Sequence, residues 1–152
     1  MVMENLPKSR RRKLRFWILD QNPAMLHEKI KTGVSRPLID LASNDYFGLS
    51  RHPKLKKAAE AAMDCEGVGA GGSRLVTGSR LIHKKLEARL SEWLGRDQVL
   101  LFPSGFQANI AAVIALAGRE TPVIADKLIH HSLIVGIKAS GAKLHRYRHN
   151  DL

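Results

Sequence analysis

Phe102-Pro103-Ser104-Gly105-Phe106-Gln107-Ala108-Asn109 is the stretch on which the fold is read. Before it, Gln98 to Phe102 (QVLLF) is a short apolar run of the kind that forms a buried strand. After it, Ser104 to Ala117 is rich in alanine and reads as a helix. A strand, a sharp turn and a helix N-terminus therefore follow one another. Free backbone N–H groups and the positive end of the helix dipole suit such a terminus to an anion. Gly105 has no Cβ, so a phosphate can approach the backbone closely. An ordinary N-cap by Ser104 accounts for the same residues equally well.

Working outward, strand and helix signals keep alternating. Pro122 to Ala125 reads as a strand, Ser132 to Ser140 as a helix and Lys143 to Arg148 as an outer strand. This order predicts α/β layers with at least some parallel pairing. Upstream, Ile82, Leu86, Leu90, Trp93 and Leu94 share one face of a helix over Ser79 to Leu94, which Gly95 ends. Pro53 opens a helix through Cys65, and Gly67 closes it. Leu38 to Ala42 alternates like a short strand and runs into a turn-rich loop, SNDYFGLSRHP. Residues 1–37 read as a separate basic helical segment, with helical composition from Arg10 to Lys31 broken near Asn22-Pro23. Residues 38–152 then form the main domain.

Composition narrows the function classes. At 152 residues, 44% hydrophobic and 26% charged, the chain can bury a sizeable core. It holds no run of about 18 apolar residues, so no membrane span is expected. Its basic start lacks the apolar stretch of a secretory signal. Cys65 is the only cysteine, which excludes an internal disulfide and fits a reducing cytoplasm. Net charge is +11, and six of the 25 Lys and Arg residues fall between Lys8 and Arg15. Such an arm can bind nucleic acid or anionic lipid. No zinc-ligand spacing or aromatic stacking motif accompanies it, so a solvated basic face is the expectation.

Three further groups carry candidate chemistry. Gly67 to Gly78 holds five glycines in twelve residues, with Ser73, Arg74 and Thr77 among them. It suits an anion cradle or a flexible surface loop. It is neither a Walker motif, because no GK[ST] follows, nor a dinucleotide fingerprint, because it follows a helix. His130-His131 comes just after the strand that ends near Asp126, where one histidine can serve a ligand or simply be structural. Asn44-Asp45-Tyr46 lies where turn chemistry is common.

Together these pieces resemble the α-oxoamine synthases, a family of fold-type I pyridoxal-phosphate enzymes. LASNDYFGLS at 41–50, GVGAGGSRLVTG at 67–78 and HKKLEARLSEWLG at 83–95 occur in the family's order and spacing. So do LLFPSGFQAN at 100–109, DKLIHHSL at 126–133 and HND at 149–151. The resemblance covers about residues 38–152 and implies a partial fold-type I large domain, α/β, with a mostly parallel sheet and flanking helices. The nearest branch is the 8-amino-7-oxononanoate synthases of biotin synthesis. The 2-amino-3-ketobutyrate CoA ligase, 5-aminolevulinate synthase, serine palmitoyltransferase and autoinducer synthase branches share most of the motifs.

The resemblance also implies roles. The amides of Gly105 and Phe106 would hold the phosphate of pyridoxal 5'-phosphate. His130, which keeps the family distance from PSGF where His131 does not, would stack on the pyridine ring as a catalytic and cofactor-binding residue. Asn44 would contact the amino-acid carboxylate, and residues 67–78 would approach the site from a neighbouring subunit of a homodimer. No metal is implied. The reaction would be a decarboxylative Claisen-type condensation of L-alanine with a pimeloyl thioester, carried on CoA or acyl-carrier protein, with the cofactor as electron sink.

The family's cofactor-anchoring lysine, pyridine-pairing aspartate, second histidine and C-terminal domain have no counterpart in these residues. Lys127, Lys138 and Lys143 do not sit in the lysine motif. The expectation is an N-terminal piece of an enzyme, inactive alone; a non-catalytic module or relic fits the same residues. An open sheet edge and uncovered apolar faces on the helices at 79–94 and 104–117 are expected with either.

Overall fold

Asp20 to Ala24 folds as a turn, and that turn decides the N-terminal region. In the computed structural model, which describes residues 14–30 and 33–151, the Asp20 carboxylate accepts from the Asn22 N–H at 2.8 Å. The Asn22 side chain accepts from the Ala24 N–H at 3.0 Å. Such local bonds favour a chain reversal over a helix. A hairpin results: β1 (Trp17–Leu19) pairs antiparallel with β2 (Met25–Ile30), and β2 with β3 (Gly33–Ile39). Ile18 lies opposite His27, and Leu26 opposite Leu38. Where the residues are described, the helix expected over Arg10 to Lys31 is thereby corrected: Trp17 to Ile30 forms two strands and a turn. Single-residue helix propensity is a weak prior that pairing overrides. The first part of that segment, with the basic cluster through Lys13, lies outside the described residues, as does Lys31.

β3 runs through the boundary expected between residues 37 and 38 and shares only Leu38 and Ile39 with the expected strand. Pro37 lacks a ladder N–H and sits on this edge strand, where it is tolerated. The Asp40 carboxylate then accepts from the N–H groups of Ala42 and Ser43, both at 3.0 Å, and turns the chain out of the sheet. Asp20 also pairs with His27 at 2.7 Å, which holds its carboxyl below the ordinary range. α1 (Pro53–Glu66) starts where expected: Pro53 needs no donor there, and His52 Nδ1 accepts from the Lys54 N–H at 3.2 Å.

The chain divides into two compact units between Gly69 and Ala70. The second contains α2 (Leu81–Leu94), α3 (Gly105–Leu116), β4 (Pro122–Asp126), α4 (His131–Ser140) and β5 (Lys143–Tyr147). β4 and β5 pair in parallel, from Pro122↔Lys143 to Asp126↔Tyr147, with α4 as the crossover. This is the α/β alternation with parallel pairing that the sequence predicts. Gly95 and Gly141 end their helices in the left-handed conformation, at φ 60° and 77°.

The expected strand Gln98–Phe102 is a second correction. It has no ladder partner among the described residues. Side chains take its backbone groups instead: Leu101 N–H donates to Glu87 Oε1 at 3.0 Å, and its carbonyl accepts from Arg74 Nη1 at 3.4 Å. An apolar run is a strand only where a neighbour completes the ladder.

The core of this unit lies between α3 and α4. Gly136 brings the two backbones together, since a Cβ there would stand 2.9 Å from Val113 Cβ and 3.2 Å from Ile110 Cα. Ile137 and Ser132 are buried on the same helix, 2% and 0% exposed. No helix among the described residues is long and apolar enough to cross a membrane.

Candidate active site

The N-terminus of α3 follows the sequence expectation closely. Ser104 is extended (φ −156°, ψ 152°) and caps the helix, its Oγ accepting from the Gln107 N–H at 3.2 Å. Its carbonyl accepts from the Ala108 N–H at 3.1 Å. Among the described residues, no internal partner takes the N–H of Gly105 or of Phe106. A Cβ on Gly105 would meet nothing within 4 Å, so no packing requires glycine there. Two free amides at the positive end of a helix, beside open space, fit a phosphate. The Ser104 cap does not use up the donors of this end: it takes the third and fourth and leaves the first two, so the cap and an anion site, alternatives in the sequence, are compatible.

His130 stands next to this end. Its ring centroid is 6.3 Å from that of Phe106, edge to face, and that of His131 is 6.5 Å away, tilted. β4 and the loop after it set the position. The Asp126 carboxylate accepts from the Leu128 N–H at 2.6 Å and pairs with His149 at 3.0 Å, and these bonds hold its carboxyl below the ordinary range. Lys127 N–H then donates to the Tyr147 carbonyl at 2.9 Å, tying the loop to the end of β5. His130 is the N-cap of α4, its side chain accepting from the Ser132 N–H at 3.3 Å.

Two residues with no role in the sequence reading lie behind His130. Ser132 Oγ is 2.6 Å from His130 Nδ1, and Asn109 Nδ2 is 2.9 Å from Ser132 Oγ. The only sequence signal for them is a small polar residue opening an otherwise apolar helix, and an asparagine in an alanine-rich one.

The Gly-rich loop is anchored rather than free where it is described within the second unit. Arg74 places Nη1 2.7 Å and Nη2 3.2 Å from the two Glu87 oxygens, and Arg80 Nη2 donates to the Ala70 carbonyl at 3.0 Å. Arg74 and the Leu101 N–H together pull the Glu87 carboxyl down to about 2. Gly78 is obligatory here, since a Cβ would fall 1.9 Å from the Gly72 carbonyl oxygen. The loop thus holds no free cation aimed at a ligand through Arg74.

Asn44 lies in the first unit, exposed, in the loop after β3. Its neighbour Asp45 does the turn chemistry: it accepts from Ser50 Oγ at 2.5 Å, and its carbonyl accepts from the Gly48 N–H at 3.0 Å. Among the described residues no group of three metal-ligating side chains converges.

Residues 36–152 match the family model for aminotransferase class I and II. The chain belongs to this family. Among aminotransferase class I and II relatives it is similar to the 8-amino-7-oxononanoate synthase of Acidithiobacillus ferrooxidans, 48% identical over 116 residues. That alignment covers 76% of this chain and 30% of the relative. The serine palmitoyltransferase of Sphingomonas wittichii superposes with a TM-score of 0.78 at 30% identity, over 89% of this chain and 33% of that one. An 8-amino-7-oxononanoate synthase from Francisella tularensis does so at 0.59 and 33% identity, over 72% and 30%. These relatives place the chain among the α-oxoamine synthases and bear out the fold-type I architecture. The family is pyridoxal-phosphate-dependent. The chain spans about 30% of the length of the curated relatives it matches.

Proposed function

We propose that the chain supplies the phosphate- and ring-binding part of a pyridoxal-phosphate acyltransferase of the 8-amino-7-oxononanoate synthase type. The reaction joins L-alanine to a pimeloyl thioester with loss of carbon dioxide. The observation that carries the reading is the pair of free amides at Gly105 and Phe106 beside the His130 ring, within a stretch 48% identical to such a synthase.

In this reading the two amides bind the cofactor phosphate, and the end of α3 adds its dipole. His130 packs against the pyridine ring and sets its plane. Asn44 holds the amino-acid carboxylate. The bound cofactor supplies an electron sink for charge developing at the amino acid's α-carbon. The thioester carrier, CoA or acyl-carrier protein, is acidic and suits the +11 charge of the chain. The protein is cytoplasmic and works as a homodimer, with residues 67–78 approaching the partner's site. These 152 residues do not turn over alone, because no lysine among them sits in the anchoring motif.

A second reading, the serine palmitoyltransferase branch, draws on the higher TM-score to that enzyme, 0.78 against 0.59. The 48% identity favours the first. Titration with pyridoxal phosphate, pyridoxal and inorganic phosphate tests the site. The phosphorylated cofactor should bind, inorganic phosphate should compete, and pyridoxal should bind far more weakly. Equal binding of pyridoxal would remove the phosphate site. In an assay with pimeloyl thioester and L-alanine the pure chain should give no product above buffer, and clear turnover would overturn that part.

A further inference from the structure

We infer that Ser132 and Asn109 are positioning residues that fix the His130 imidazole as its Nε2–H tautomer. Nδ1 of His130 faces two groups of Ser132, the Oγ at 2.6 Å and the backbone N at 3.3 Å. A backbone N–H only donates, so Nδ1 is an acceptor. The Ser132 hydroxyl hydrogen therefore points to Nδ1 as well, and its lone pairs are left to accept. Asn109 Nδ2, at 2.9 Å, is the donor that uses one of them.

Reversing the relay would aim the Nδ1–H at the Ser132 N–H, donor against donor. Water cannot rescue that arrangement, because Ser132 is 0% exposed. The cap N–H at 3.3 Å and the shorter hydroxyl bond at 2.6 Å hold this direction together, along a chain of bonds from Asn109 on α3 through Ser132 on α4 to a ring that is itself exposed. The ring's other nitrogen then carries the proton. Its outer edge offers a donor, not a lone pair, to an acceptor atom of whatever lies against it. That the ring faces the cofactor rests on the proposed function; the tautomer rests on the relay alone.

The direction also separates His130 from His131. The neighbouring ring is similarly near Phe106, but among the described residues no hydrogen bond ties it to the relay, and it begins α4 instead of capping it. Of the two adjacent histidines only one is held in both plane and tautomer.

The test is a long-range ¹H–¹⁵N spectrum of the histidine-labelled full chain, without cofactor, in mildly alkaline buffer. His130 should show one pyridine-like nitrogen, Nδ1, and one pyrrole-like nitrogen, Nε2. Asn109→Asp puts an acceptor where the donor stood and draws the Ser132 hydrogen away. That variant should lose the single-tautomer pattern at His130 while the other histidines stay unchanged. Ser132→Ala should do the same, and Ser132→Thr, which keeps the hydroxyl, should retain it. If Ser132→Ala fails to fold, the Asn109→Asp and Ser132→Thr pair still decides. Averaged nitrogens or an Nδ1–H form in the unaltered chain would overturn the inference, as would an unchanged pattern in Asn109→Asp. A fixed Nε2–H ring in a chain that does not bind pyridoxal phosphate would leave the relay standing and sink the functional reading. An averaged ring in a chain that binds it would do the reverse.

Discussion

α2 and α3 are successive helices of similar length, held in opposite ways. α3 lies against α4 so closely that Gly136 has no room for a Cβ. α2 turns its apolar stripe to solvent: Ile82 is 44% exposed, Leu86 48%, Leu94 54% and Trp93 80%. What fastens α2 is polar. Glu87 bonds Arg74 from the Gly-rich loop and the Leu101 N–H from the segment before α3. Packing fixes a helix through many weak contacts that depend on shape. A polar clamp fixes it through a few bonds that depend on charge and leaves the apolar face available. The contrast yields predictions of different size and kind for the two helices.

The largest effect belongs to the packed pair. Gly136→Leu should destabilise the second unit by about 1–3 kcal/mol or more, because the added atoms meet helix backbone and not a flexible side chain end. Urea unfolding followed by circular dichroism would report it. An unchanged midpoint would mean that α3 and α4 are not in close contact. Next comes Ser132→Ala, which takes a hydroxyl from a fully buried position and leaves the half-buried Asn109 amide without its acceptor; it should cost about 1 kcal/mol in the same assay.

The polar clamp should instead answer to pH. The Glu87 carboxyl sits at about 2 in the folded chain against an ordinary 4.5, so folding favours its charged form. The stability it contributes is fully present above about 4.5 and is lost as the pH falls toward about 2. Glu87→Gln should remove that part of the acid sensitivity, seen as a flatter dependence of the unfolding midpoint between those values. An identical acid profile in the variant would place the sensitivity elsewhere, with Asp20, Asp45 or Asp126 as the remaining depressed carboxyls.

What the sequence made legible follows the same division between local and distant causes. α1, α2, α3 and α4 are written in stretches of a dozen residues, with Pro53, Ser104, Gly67, Gly95 and Gly141 marking their ends. β4 is legible as a short run between two helices, and β5 as the short run that follows α4. Gln98–Phe102 is not, since strand character needs a partner that the run cannot specify. Trp17 to Ile30 misleads because Leu, Met, Gln, Glu and Lys favour helix one by one, while Asp20, Asn22 and Pro23 between them make the turn that wins. The site divides likewise. The helix end at Ser104 to Phe106 is a local feature and reads directly. The Asn109–Ser132–His130 relay joins two helices 23 residues apart in sequence and is visible only in three dimensions.

The smallest stability change belongs to the uncovered stripe of α2. Trp93→Ser should shift the unfolding free energy by no more than about 0.5 kcal/mol, as exposed positions do. The same change should reduce self-association, because exposed apolar patches draw chains together. Size-exclusion chromatography over a range of concentrations would show it. A large loss of stability on Trp93→Ser would mean that the stripe is covered and that the contrast with α3 is false.

The free amides at the start of α3 are the centre of the functional account, and one substitution addresses them directly. Gly105 is the first residue of α3, Ser104 before it is extended, and a Cβ at position 105 meets open space. Proline is therefore compatible with the fold at this position, and it removes one N–H and nothing else. Pyridoxal phosphate binding to Gly105→Pro should be measured by calorimetry beside circular dichroism of the same sample. The account predicts an unchanged spectrum and an affinity lower by roughly tenfold or more, the worth of one charge-assisted hydrogen bond. An unchanged fold with unchanged affinity would contradict it, because the phosphate would then be held somewhere other than the N-terminus of α3.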